Sequence, residues 1–181
     1  MNISLNVEEQ IKKPHSQETE MAVLGSMLID EDSIEKVYGT LSENDFFFSK
    51  NKVIYNTIIE LYKKGKTVDL MTISDRLTET NKLYEIGGDS YLAELMDSVP
   101  TSSHVKEYAD ILVEKKIRRG IISTSSRLQE LASGSEFTLD DSMKYINSIQ
   151  KSIEKYMYRD EEEVNIMLDR DWETTSNFLF Y

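Results

Sequence analysis

Residues 103–132 read SHVKEYADILVEKKIRRGIISTSSRLQELA, and this stretch decides the fold. It holds no proline, and Gly120 is its only glycine. Val105, Tyr108, Ala109, Ile111, Leu112, Ile117, Ile121, Ile122, Leu128 and Leu131 recur mostly at steps of three and four. That period lines up side chains along one flank of an α-helix. The spacing predicts one long helix. Ser133-Gly134-Ser135 reads as a turn, and a second helix is expected from about Leu139, with Met143, Ile146, Ile149, Ile153 and Tyr156 forming its seam. Two long helices joined by a short glycine turn make an antiparallel hairpin. A hairpin with apolar residues on more than one side is expected to pack on a second copy or a partner.

Upstream of this hairpin the periodicity is shorter and more often broken. Ser16 is a good N-cap, and Glu18 and Glu20 put negative charge into the first turn, where the helix dipole favours it. A helix is expected from about Gln17 to Ile29, with Val23, Leu24, Met27 and Leu28 as its buried stripe. Gly25 within it costs about 1 kcal/mol against alanine, so another helix is expected to cross closely there. Asp30 can cap a second short helix carrying Ile34, Val37, Tyr38 and Leu41. Ser42 to Asp45 reads as a turn before Phe46-Phe47-Phe48. A third helix is expected from about Lys50 to Lys64, ended by Gly65. Val68 to Met71 reads as an extended connector, with Thr72 opening a fourth helix. Gly87-Gly88 precedes a fifth around Tyr91 to Met96, and Pro100 closes the region. The expected organisation is an N-terminal arm at 1–13, a helical head at 14–100, a helical hairpin at 101–158 and an acidic tail at 159–181. The fold class is all-α: a compact head followed by a long antiparallel helical hairpin.

Composition narrows the function. In 181 residues there are 21 basic and 33 acidic side chains, a net charge of -12. General binding of nucleic acid needs clustered Lys and Arg, so this surface is a poor candidate. The absence of cysteine excludes disulfides, thiolate zinc sites and a cysteine nucleophile. Met1 to Lys13 has no apolar segment of signal-peptide length, and no run approaches 18 apolar residues. The expected location is the cytoplasm, with no membrane contact. Arg159 to Glu173 carries 7 acidic and 2 basic residues, a local net of -5, and reads as a linker or tail.

No constellation assembles an active site. Gly65-Lys66-Thr67 resembles the end of a phosphate-binding loop, but the first glycine of that motif would fall at Glu60. A helix ends there rather than begins, so its N–H groups point the wrong way for phosphate. His15 and His104 each precede a helix and read as helix-entry residues with local hydrogen bonds. Glu18 and Glu20, two apart on a helix, point to different sides. Lys115-Lys116-Ile117-Arg118-Arg119 is the one concentrated basic stretch and reads as a solvated helix face or a partner contact. No catalytic, cofactor-binding or metal-binding residue is assigned.

The motifs do carry a family resemblance. Pro14-His15-Ser16-x-Glu18-x-Glu20-x-x-Val23-Leu24-Gly25-x-x-Leu28 resembles the opening of the bacterial replicative DNA helicase of the DnaB type. Asp45-Phe46-Phe47, Val68-Asp69-Leu70-x-Thr72, Gly87-Gly88-x-x-Tyr91-Leu92-x-Glu94-Leu95, Pro100-Thr101 and Tyr108-Ala109-x-Ile111-x-x-Glu114-Lys115 follow in the family's order. The resemblance runs from about Pro14 to Tyr158. It implies the helicase's N-terminal domain, an all-helical head and hairpin. Hairpins of this family pair into dimers, and three dimers form the collar of a hexameric ring. The collar recruits primase and helps loading factors place the ring on DNA, so DNA is met only through the full ring.

The same resemblance places ATP and magnesium in a separate motor domain that follows a linker. No cofactor is expected in this chain, and alone it should neither hydrolyse ATP nor unwind DNA. It is expected to be either part of a longer helicase or a stand-alone relative. The alternative reading is the helicase-binding domain of a primase, which shares the head-plus-hairpin build, or a stand-alone helicase-interacting replication protein. Resemblance-based candidates for primase contact are Tyr91, Ile122 and Leu128; candidates for self-association are Ile122, Leu128, Ile149 and Ile153. Two positions depart from the family's pattern: Asn51, where histidine is common, and His104, where asparagine is common. Local hydrogen bonds there are expected to differ. The segment 159–181 does not resemble the family's linker helix.

Overall fold

The computed structural model describes residues 13–134 and 138–157. The expected arm up to residue 12, Ser135 of the turn, and the acidic tail at 159–181 lie outside the described residues. Among the described residues eight helices run in the order α1 (Gln17–Ile29), α2 (Glu31–Val37), α3 (Ser49–Lys63), α4 (Leu70–Glu79), α5 (Leu83–Ile86), α6 (Gly88–Asp97), α7 (Val105–Ser133) and α8 (Leu139–Met157). Two 3-10 turns, Glu43–Asp45 and Ser102–His104, lie between them. No strand occurs among the described residues, as the all-α reading expects. No helix among them is long and apolar enough to cross a membrane.

Helix α1 is the centre of the head. It was expected to bury one stripe, but every residue from Glu20 to Leu28 is buried. The reason is its neighbourhood: α2, α3, α6 and the Ser102–His104 turn all pack on it. A helix enclosed on all sides cannot be amphipathic. Ser26 inside it returns its hydroxyl to the Ala22 carbonyl at 2.7 Å. Gly25 faces α6 at very close range: a Cβ there would sit 2.1 Å from the Leu95 carbonyl oxygen. The close crossing expected from this glycine is present.

The helix ends follow local chemistry. The Ser16 hydroxyl accepts from the Thr19 N–H at 3.2 Å and starts α1. Asp30 caps α2, which stops at Val37; Tyr38 and Leu41 lie beyond it. Gly65 adopts φ +63 and ends α3, with the Lys66 N–H reaching back to the Leu61 carbonyl. That is a glycine C-terminal motif, with none of the geometry of a phosphate loop.

The fourth helix begins earlier than the sequence reading placed it. Leu70 and Met71 are helical, not an extended connector, because Asp69 and Thr72 form a capping box. The Asp69 carboxylate accepts from the Thr72 N–H at 2.8 Å, and the Thr72 hydroxyl accepts from the Asp69 N–H at 3.0 Å. One short helix, α5, was not foreseen. Arg76 of α4 pairs with Glu60 of α3, and Lys64 at the α3 end pairs with the same carboxylate, each at 2.6 Å. Their hydrogen bonds hold the Glu60 carboxyl down at about 2.

The chain divides into two compact units after Ile122, not at Pro100. The first unit keeps the opening turns of α7, because Val105, Ala109 and Leu112 are buried members of the head core. The second unit contains the remainder of α7 and all of α8. Within it Tyr145 of α8 and Glu130 hold the Arg127 guanidinium above the usual arginine range. Among the described residues from Ser123 onward, no side chain is fully buried. Where α7 passes between the units, Gly120 to Ser126 is a run of poor helix formers. Together these seven residues lie roughly 4 kcal/mol above an alanine stretch in helix propensity.

Candidate interaction surface

The base of α7 is fixed to the head by a polar network built around α1. Glu20 is 1% exposed. Its carboxylate accepts from the Phe47 N–H at 2.7 Å, the Phe48 N–H at 3.3 Å and the Asn51 amide at 2.8 Å. Phe48 is the N-cap residue of α3 and has no side chain able to cap it. Glu20 instead holds the N–H of the N-cap residue and of the one before it from another helix, at the positive end of the α3 dipole. Asn51 is fully buried and relays the network outward. Its Oδ1 accepts from the Tyr91 hydroxyl at 2.8 Å.

Arg119 of α7 reaches the same corner. It donates to the Pro14 carbonyl at 2.9 Å and to the Asp45 carbonyl at 2.8 Å. Its guanidinium also lies over the Phe47 ring, 5.7 Å from the centroid, and burial pulls it below the usual arginine range. His15 stacks on Phe47 with centroids 4.4 Å apart, and its Nδ1 contacts the Lys13 carbonyl at 2.7 Å. Lys116 lies 3.2 Å from Oδ1 of the buried Asp45. Oδ2 of Asp45 accepts from the Ser42 N–H and hydroxyl, at 2.6 and 2.7 Å.

Two expectations change here. The basic stretch at 115–119 is not wholly a solvated face: Lys116 and Arg119 turn inward and fasten α7 to the head. Tyr91 is 5% exposed, so it is a core residue with its hydroxyl already engaged, not an open anchor for a partner. Burial pushes that hydroxyl up to about 12, and the Lys50 ammonium covers its ring at 3.4 Å from the centroid. Tyr91→Phe should cost about 1 kcal/mol and leave the fold intact, as read by thermal unfolding with unchanged far-ultraviolet circular dichroism.

The other candidates lie on the last two helices. Ile122 and Leu128 of α7 and Ile149 and Ile153 of α8 are all half-buried. Two of the expected α8 seam residues, Met143 and Ile146, are instead open, as is Leu139 at the helix start. Leu139 is 73% exposed, Met143 52% and Ile146 46%. At roughly 100° per residue these three share one narrow stripe of α8. Ile149 and Ile153 fall on the flank next to it. Tyr156 belongs to the seam reading, but its side chain lies outside the described residues. Leu139, Met143 and Ile146 are surface residues that the periodicity flagged as apolar without telling which side of the helix would be left open.

Glu20 and Arg119 are organising residues that the sequence reading does not single out; Glu20 stands just before the apolar run from Met21, and Arg119, between Arg118 and Gly120, carries no local signal. Asn51 was noted only as a departure from the family pattern. His104 stays at the α7 entry, its ring 6.4 Å from that of Tyr108. Among the described residues no group of His, Cys, Asp and Glu is arranged to hold a metal ion.

A well-packed helical head, continued by a second helical unit in which no described side chain from Ser123 onward is fully buried, defines an all-α chain. Residues 12–114 match the family described as DnaB-like helicase N terminal domain, and the chain belongs to that family. It is 35% identical over 127 residues to the replicative DNA helicase DnaB of Buchnera aphidicola, covering 70% of this chain and 27% of that protein. It is 36% identical over 117 residues to the DnaB helicase of Geobacillus stearothermophilus, covering 65% of this chain and 26% of that protein. The chain thus spans less than a third of the length of the curated relatives it matches.

Among solved structures, the N-terminal domain of DnaB helicase from Mycobacterium tuberculosis aligns with a TM-score of 0.69 at 28% identity. The alignment covers 80% of this chain and 99% of that one. A DnaB-like replicative helicase, solved in work on its interactions with primase, aligns with a TM-score of 0.64 at 29% identity, covering 76% of this chain and 31% of that one. These matches fall on the helicase side of the helicase-or-primase alternative.

Proposed function

We propose that this chain acts as the assembly and partner-recruiting domain of a replicative DNA helicase, pairing with copies of itself through its hairpin. The observation that carries the proposal is the second compact unit. From Ser123 onward no described side chain is fully buried, while Leu139, Met143 and Ile146 stand open in one stripe. Two helices without a core of their own gain stability by packing on another surface. A second copy, arranged symmetrically, supplies one of matching pattern.

Ile122, Leu128, Ile149 and Ile153 are proposed to lie at the margins of such contacts, with Ile122 and Leu128 also serving primase. Three dimers in a collar, a helicase loader as a further partner, and DNA met only through the complete ring extend the same reading. The chain itself is assigned no cofactor and no catalysis. ATP and magnesium belong to a motor domain of the whole helicase.

Light scattering of the chain at high micromolar concentration should report dimers or larger rings. Replacing Met143 and Ile146 together with glutamate should weaken self-association at least about tenfold, close to 1.4 kcal/mol, with the helical spectrum retained. A wild-type chain that stays monomeric under those conditions overturns the pairing. The purified chain should show no ATP turnover; activity that survives repurification argues against the module reading.

A further inference from the structure

We infer that α7 carries a built-in hinge between Gly120 and Ser126. The helix is held on both sides of this segment. Below it, Val105, Ala109 and Leu112 are buried in the head. Lys116 and Arg119 then tie the helix to Asp45 and Pro14. Above it, Arg127 pairs with Glu130 one turn further along the helix. The last head anchor is thus the residue immediately before Gly120, and the next ion pair starts at the residue immediately after Ser126.

Between these two residues the sequence reads Gly-Ile-Ile-Ser-Thr-Ser-Ser. Every residue of it is a weaker helix former than alanine, for three different reasons. Glycine has the largest backbone freedom to lose. Ile121, Ile122 and Thr124 are branched at Cβ. Ser123, Ser125 and Ser126 can bond to the backbone in competition with the helix.

Packing does not explain the glycine. At Gly25 an added Cβ collides with α6, whereas at Gly120 nothing lies within 4 Å of where a Cβ would be. Alanine would fit and would strengthen the helix, so the position is weak without a steric need. No residue of the segment is fully buried. The division of the chain into two compact units falls inside it, after Ile122. A long helix that must transmit a fixed direction is served by strong helix formers throughout. This one concentrates its weakest turns where neither unit holds it. The expected motion is transient opening of one or two turns, letting α7 bend there while both anchored halves stay helical. The inference concerns a single chain and does not depend on the self-association reading.

The test strengthens the segment without touching packed surface, through Gly120→Ala, Ser123→Ala and Ser125→Ala combined in the full chain. In the wild type, amides of 121–127 should exchange with deuterium at least about tenfold faster than those of 107–113. The triple variant should slow the 121–127 amides by about tenfold or more, in line with the propensity difference. The chain has no cysteine, so spin labels at Asp75→Cys and Asn147→Cys are its only attachment points. Measured in an excess of unlabelled chain, their distance distribution should be broad in the wild-type background and narrower in the triple variant. Equal protection of the two amide segments in the wild type overturns the hinge. So does a distribution whose width the triple variant leaves unchanged.

Discussion

Gly25→Ala should destabilise the head by about 2 kcal/mol, a loss out of proportion to one methyl group. The added carbon would sit 2.1 Å from the Leu95 carbonyl oxygen, 2.5 Å from Val99 Cγ2 and 2.8 Å from the Leu95 carbonyl carbon. Two of these atoms are helix backbone and cannot swing aside as a side-chain tip could. Relief requires moving α6 off α1, and α1 is the helix around which the rest of the head packs. Forcing an extra methylene into a packed core costs about 1–3 kcal/mol, sometimes more. The gain in helix propensity from replacing glycine, about 1 kcal/mol, offsets only part of it. Thermal unfolding should shift down by roughly 10 °C. Gly120→Ala is the internal control, since the same change in open space should raise stability slightly. If the two variants melt alike, the α1–α6 crossing is looser than its geometry indicates.

Glu20→Ala should be more severe, for an electrostatic reason. Removing the carboxylate leaves the Phe47 and Phe48 N–H groups and the Asn51 amide without their acceptor in a buried site. Each of the three stranded donors costs about 1–3 kcal/mol, and α3 also loses the negative charge beside its N-terminus. A total of about 4 kcal/mol is expected by chemical denaturation.

Glu20→Gln should be milder. An introduced amide can face Asn51 if Asn51 turns its own amide over, because the Tyr91 hydroxyl can accept as well as donate. Adding Tyr91→Phe removes that escape. The double variant should therefore lose more than the two single losses combined, a coupling readable in a double-mutant cycle. Additive losses would show that Glu20, Asn51 and Tyr91 do not act as one unit.

These residues also mark the limit of what the chain discloses without coordinates. The long helices are legible from period alone, since Val105 to Leu131 repeats too often to be anything else. Gly65 is legible as a helix stop from its place after two lysines. The α4 start is harder. Asp69-x-x-Thr72 is a short capping signature, and reading Val68 to Met71 as one connector hides it. Glu20 is harder still. In sequence it is one of two acids in a first helical turn, a role that asks for solvent. Its partners lie 27, 28 and 31 residues away, and no local pattern announces a bond of that span. On α8, apolar spacing identifies the side but not its open edge. Ile149 and Ile153 are half-buried while Leu139, Met143 and Ile146 are open, a distinction set by tertiary neighbours.

The burial of Val105, Ala109 and Leu112 bears on where this polypeptide can be cut. A piece ending at Pro100 would look whole by its prolines and glycines, yet it would leave greasy sockets gaping in the head core. It would also lack the arginine that clasps Pro14 and Asp45. The smallest portion able to stand alone therefore runs through Arg119, so a protease nick at Pro100 should unravel the head, whereas one beyond Ser126 should spare it.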